Sequence, residues 1–210
     1  MTASIEVSVI GSCSCWSVFI SIVALLYIFF DVNYFLRVAV TVLWGRLFHK
    51  KKNVEDTTEI YGLVTTADID IFFKHMNNAR YVRELDFARF HFYDRTGLYE
   101  EITRAKGHVL QTASNVRYRR TIPIFTPYKI TTKIVAWDER TLYIEQRFVT
   151  FDGFIRAIVL SKQGTIGLDV PTIMAKLTKK DVSYRPIPPP ELEDWLKSIE
   201  KSSERLKKKD

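Results

Sequence analysis

The chain has 210 residues, of which 47% are apolar, enough to bury one good core and not two. A charged fraction of 26% is ordinary, and the aliphatic and aromatic content excludes a disordered chain. The net charge of +7 is no nucleic-acid footprint: much of it lies in HKKK at 49–52 and KKK at 207–209, with no recognition motif beside it, so no nucleic-acid partner is expected.

From Val7 to Phe30 no residue is charged, and WSVFISIVALLYIFF at 16–30 is almost wholly apolar. About 20 such residues cross roughly 30 Å of hydrocarbon. Residues 1–33 are therefore expected to form an N-terminal transmembrane helix. The competing reading is a cleaved signal peptide and a secreted product. It needs a positive leading region and a small-residue cleavage site, whereas this N-terminus carries Glu6 and FFDVNYFLR follows the apolar run. Cys13 and Cys15, the only cysteines, both fall near this segment, so no disulfide framework and no metal site is expected.

Residues 34–56 read as an interfacial and basic linker. Arg37, Arg46, Lys50, Lys51 and Lys52 all follow the span, which assigns that side to the cytosol. YFLRVAVTVLWGRLF at 34–48 continues the helix or lies along the membrane surface. The chain ends in KKKD, which resembles the di-lysine retrieval signal of endoplasmic reticulum membrane proteins and requires a cytosolic C-terminus. The expected location is the endoplasmic reticulum membrane with the domain facing the cytosol.

A globular domain is expected over 57–170. EIYGLVTTADI at 59–69 reads as a strand. Over 78–96, Tyr81, Leu85, Ala88 and Phe92 recur at helical spacing, with Asn77 or Asn78 as N-cap and Gly97 as terminator. Four segments rich in β-branched and aromatic residues follow, beginning at His108, Tyr128, Thr141 and Phe154. DER at 138–140 and DG at 152–153 suit hairpin turns, so an antiparallel meander is expected. The plan is α+β, one long helix against a sheet. Residues 171–190 read as a Pro-rich linker. Over 191–210 a helix is expected after Pro190, with Leu192, Trp195, Leu196 and Ile199 on one face and a basic tail.

At the junction of strand and helix, DID at 68–70 is followed by HMNNARYVRELDFAR at 75–89. This pattern resembles the hotdog-fold thioesterases of the 4-hydroxybenzoyl-CoA type, in particular their membrane-anchored animal branch. IVAWDERTLYIEQRFV at 134–149 and DGF at 152–154 extend the likeness over nearly the whole chain. The resemblance implies a hotdog fold, an antiparallel sheet wrapped around a central helix, and a homodimer acting on fatty acyl-CoA or a related thioester without a separate cofactor. It implies Asp70 as the catalytic aspartate, nucleophile or general base. It differs from the family pattern in two places: Lys74 stands where a Gly precedes the histidine, and His75 follows Asp70 by five positions where the pattern has four.

The residues make chemical sense for that reaction. Thioester hydrolysis needs a nucleophile or an activated water, and donors for the carbonyl oxygen as it gains charge. Unpaired amides at a helix N-terminus, here near Asn77 to Arg80, supply such donors. His75 orients the carboxylate or bonds the carbonyl, or is simply a packed histidine. Asn77, Asn78, Arg80 and Tyr81 are candidate ligand contacts, the two Asn being caps otherwise. Glu84 is either a further catalytic acid or the partner of Arg80 or Arg83. Asp68 is read as structural. Arg117, Arg119 and Arg120 are candidates for the phosphates of coenzyme A, with 117 and 119 on one face of a strand, or a solvated basic face. A hotdog protein that binds acyl groups or scaffolds lipid metabolism without efficient turnover is the second reading.

Overall fold

The computed structural model describes residues 3–71 and 74–207, with side chains from residue 15 onward. Phe72, Phe73 and Lys208 of the di-lysine pair lie outside the residues so described, as does the side chain of Cys13. The chain divides into a unit of residues 1–40 and a unit of residues 41–210.

In the first unit, helix α1 (Ala3–Phe29) is followed by Asp31, whose carboxylate accepts the Tyr34 amide at 3.1 Å. That cap starts helix α2 (Val32–Phe48), which runs on into the second unit. Among the described residues no single helix is long and apolar enough to cross a membrane. The pair formed by Cys15–Phe29 and Val32–Phe48, bent by 86° at the break, has the length and composition together. The expected straight span is thus interrupted where an acid stands between two apolar runs.

The second unit contains five antiparallel strands: β1 (Thr58–Leu63), β2 (His108–Tyr118), β3 (Pro127–Trp137), β4 (Thr141–Thr150) and β5 (Ile155–Ile166), in the order β1-β3-β4-β5-β2. The two hairpin turns stand where the sequence places them. The Asp138 amide reaches the Thr141 carbonyl at 3.0 Å, and Gly153 takes the left-handed conformation its turn requires (φ 77°).

The meander needs one correction: β2 pairs with β5, not with β3. The connection 119–126 turns no hairpin. Instead its Ile122 carbonyl accepts the Met76 amide at 2.9 Å, and its Ile122 amide donates to the Tyr81 hydroxyl at 3.2 Å, which lays the connection over the start of the long helix. The strand expected over 59–69 also stops early, at Leu63, because Asp68 folds Thr65–Asp68 into a turn.

That long helix, α3 (Asn78–Thr96), matches the expected bounds. Asn77 caps it by accepting the Ala79 amide, and Gly97 ends it at φ 78°. Tyr81, Leu85, Ala88 and Phe92 are all buried. Phe92 packs with Ile134, Leu142 and Ile144 of the sheet and with two short helices absent from the expectation, α4 (Leu98–Arg104) and α5 (Val170–Thr178). Each such side chain contributes about 1.5–3 kcal/mol by leaving water. Helix α6 (Pro190–Leu206) starts at Pro190 as expected and packs Leu192, Trp195 and Leu196 on Ala136, Tyr143 and Leu160.

Candidate active site

Asp68 organises the loop into the helix. One carboxylate oxygen accepts the Thr65 amide and hydroxyl at 2.9 and 2.8 Å, and the other accepts the Arg80 Nε and Nη2 at 2.9 and 2.7 Å. At 3% exposure, burial pushes its pKa up, but the Thr65 bonds and the Arg80 guanidinium together hold it below the usual carboxylate value. Asp68 is structural, then, and Arg80 ties the loop to the first turn of α3.

Beyond it the chain pinches. Ile69 and Met76 form an isolated bridge, and the Asp70 amide donates to the His75 carbonyl at 3.1 Å. Despite the longer spacing Asp70 and His75 meet: Oδ2 to Nε2 is 3.2 Å. The other ring nitrogen, Nδ1, lies 3.2 Å from the Met76 carbonyl. The side chains are 19% and 35% exposed, fixed yet reachable.

The amides at the helix start are mostly committed. Asn77 N–H goes to the Asp68 carbonyl at 2.8 Å, Ala79 N–H to the Asn77 side chain at 2.9 Å, and Arg80 N–H to the Asn77 carbonyl at 2.9 Å. The Asn78 amide, at the first helical residue, has no acceptor among the described residues. It points along the positive end of the helix dipole. Tyr118 fixes this residue from the other side, its hydroxyl donating to the Asn78 carbonyl at 3.0 Å.

Two candidates lie elsewhere. Glu84, at 1% exposure, is turned into the interior, where it accepts the Tyr128 hydroxyl at 2.9 Å. Arg80 is engaged with Asp68, not with Glu84. Tyr81 is core, its ring edge-on to Tyr118 and Phe148, and burial, the largest influence, raises its pKa.

Arg117 and Arg119 are exposed, at the end of β2. Arg119 and Arg120 belong to a cluster whose third member, Arg156, residue spacing alone did not reveal. Arg119, Arg120 and Arg156 place their guanidinium carbons 4.8, 4.7 and 5.3 Å from the centre of the Phe154 ring. Asp152 anchors Arg156 at 2.8 Å. The DGF turn was the available signal, since its Phe is the platform on which the three cations gather.

Residues 64–197 match the family model described as the thioesterase-like superfamily. Protein THEM6 of Drosophila melanogaster is 54% identical over 188 residues, covering 89% of this chain and 96% of that protein. Among solved structures, the probable thioesterase YbaW of Escherichia coli aligns at TM-score 0.52 and 20% identity, over 60% of this chain and 98% of its own. SAV2348 of Staphylococcus aureus, solved in complex with CoA, aligns at TM-score 0.51 and 16% identity, over 68% of this chain and 96% of its own. At such identities these two establish the fold. With the sheet, the central helix and the HMNNARY junction in place, the chain belongs to the thioesterase-like superfamily, with the hotdog fold, and is a relative of the THEM6 proteins.

Proposed function

We propose that the chain is a membrane-attached acyl-CoA thioesterase, at least a homodimer, held at the endoplasmic reticulum with its domain in the cytosol. One observation carries the enzymatic part: a carboxylate fixed 3.2 Å from a histidine, in the loop that leads into a helix whose Asn78 amide has no acceptor among the described residues. In this reading the acyl carbonyl oxygen lies on the Asn78 N–H, and its carbon faces Asp70. Asp70 attacks that carbon, with water hydrolysing the resulting acyl–Asp70 anhydride once the thiol has left, or Asp70 removes a proton from a water that attacks the carbon directly. The carbon–sulfur bond then breaks, the coenzyme A thiolate takes a proton, with His75 as the adjacent proton source, and the acid is released. The Arg119, Arg120 and Arg156 cluster suits the phosphates of coenzyme A, and the CoA complex of SAV2348 supports that ligand class.

The attachment rests on the exposed apolar residues of α1 and α2 and the basic segment after them. The dimer rests on β2, an edge strand of 11 residues largely exposed on both faces, with an unpaired side a second copy can cover. The location rests on the lysine-rich end and the orientation on the positive-inside pattern; a glycosylation sequon added near residue 200 should stay unmodified. A second reading, acyl binding without efficient turnover, is favoured by the commitment of the Asn77, Ala79 and Arg80 amides, which leaves the Asn78 amide as the one donor at the helix start among the described residues.

The test is the full chain in detergent with a panel of acyl-CoAs, beside Asp70→Asn. Turnover that falls about a hundredfold in the variant supports the hydrolase. Saturable binding with no turnover in either protein supports the second reading.

A further inference from the structure

The opposite end of α3 carries an unassigned cavity. Its volume is about 330 Å³, inside the range of small-ligand sites. Arg95 lies 15 residues beyond Arg80 on one helix, about 20 Å away at 1.5 Å per residue, so this is not the Asp70 site. The charge of its lining is one-sided: the cations Lys50, Lys52 and Arg95 stand against a single acid, Glu59, with the rings of His49 and His91 between them. Glu59 is occupied, accepting Lys129 Nζ at 2.9 Å and the Tyr61 hydroxyl at 3.4 Å.

The arrangement is built rather than incidental. Gly45 of α2 lies so close to His91 that a Cβ there would sit 2.7 Å from the ring. His91 and His49 face each other, Nε2 to Nδ1, at 2.8 Å. Arg95 is buried and holds the His49 carbonyl at 3.0 Å, while the Lys52 amide donates to the Arg95 carbonyl at 3.0 Å. Asp94 is bound by both Arg46 and Arg95. Beside this basic cavity the end of α2 presents Leu43, Trp44, Leu47 and Phe48, all more than half exposed, with the Trp44 and Phe48 rings 4.3 Å apart. Exposed aromatic and aliphatic side chains next to fixed cations match the boundary between lipid headgroups and acyl chains.

We propose that this cavity binds the headgroup phosphate of an acidic phospholipid, with Trp44, Leu47 and Phe48 resting at the acyl boundary. The inference rests on the membrane-attached reading and adds a lipid to it.

The test uses the full chain in neutral detergent, titrated by calorimetry with short-chain phosphatidic acid, short-chain phosphatidylcholine or inorganic phosphate. Phosphatidic acid should bind one saturable site at least about tenfold tighter than the other two, and Lys50→Gln with Lys52→Gln should weaken it about tenfold at unchanged melting temperature. If the double variant melts early, Lys50→Gln alone, at an exposed side chain, should still weaken binding several-fold. Equal affinity for phosphatidylcholine, inorganic phosphate binding as tightly as the lipid, or no loss in the lysine variants would overturn the proposal. No acyl-CoA is present, and membrane attachment is scored separately by flotation with neutral vesicles, so the three readings fail independently.

Discussion

The two ends of α3 solve the problem of placing charge near a core in opposite ways. At its N-terminus the polar groups come from one short stretch, 65–80, and each satisfies its neighbour: Asp68 with Thr65 and Arg80, Asp70 with His75, Asn77 with Ala79. At its C-terminus the groups are brought together from segments more than 40 residues apart, His49 with His91 and Arg46 with Asp94. The local end is held by turns and caps that survive small motions. The assembled end depends on α2 lying flush against α3 at Gly45, so its electrostatics are coupled to packing.

That contrast can be broken by substitution. The largest effect is expected for Asp68→Ala, which removes four hydrogen bonds and leaves Arg80 without its partner. A loss of about 3 kcal/mol should appear in chemical denaturation, since removing one member of a buried pair is costly. Asp68 also sets a pH dependence. Its folded pKa lies below the unfolded one, so its stabilisation is complete above the unfolded value and is lost as pH falls through the folded one.

His91 should give a comparable effect through pH. Burial first, then the neighbouring His49 and Arg95, lower it to about 4 from 6.5. The unfolded chain therefore binds a proton between those values that the folded chain refuses. Stability is complete above about pH 6.5 and falls as pH drops toward 4, by roughly 3 kcal/mol in all. Melting curves across that window should steepen with acid in the parent and flatten in His91→Phe. A smaller change, about 1 kcal/mol, is expected for Asn77→Ala, which removes the helix cap without touching the Asp70–His75 contact.

Much of the N-terminal end was legible in the sequence, because its signals are short-range. Asn77, the Tyr81–Leu85–Ala88–Phe92 stripe and Gly97 mark α3 in consecutive residues. The Asp70–His75 contact is five positions long. The place of β2 was not legible: an edge strand that is largely exposed on both faces carries no inward pattern to say which neighbour it pairs with. Helices α4 and α5, of 7 and 9 residues, are too short for a periodic stripe to stand out. Glu84 was ambiguous for a different reason. Helical spacing puts it at the edge of the stripe, and only Tyr128, 44 residues later, shows which way it turns. Nothing local pointed to His49 and His91 as a pair.

The central claim is that the Asn78 amide receives the acyl carbonyl oxygen beside Asp70, and Asn78→Pro tests it most directly. Proline is tolerated at the first helical position, and Asn77 already has the extended backbone (φ −66°, ψ 140°) that a following proline demands. The variant deletes one N–H and should keep the fold, with Asn78→Ala retaining that N–H as control. The account predicts a fall in kcat of about a hundredfold for Asn78→Pro at unchanged melting temperature, and near-parent kcat for Asn78→Ala. Full turnover in a folded Asn78→Pro protein would contradict it.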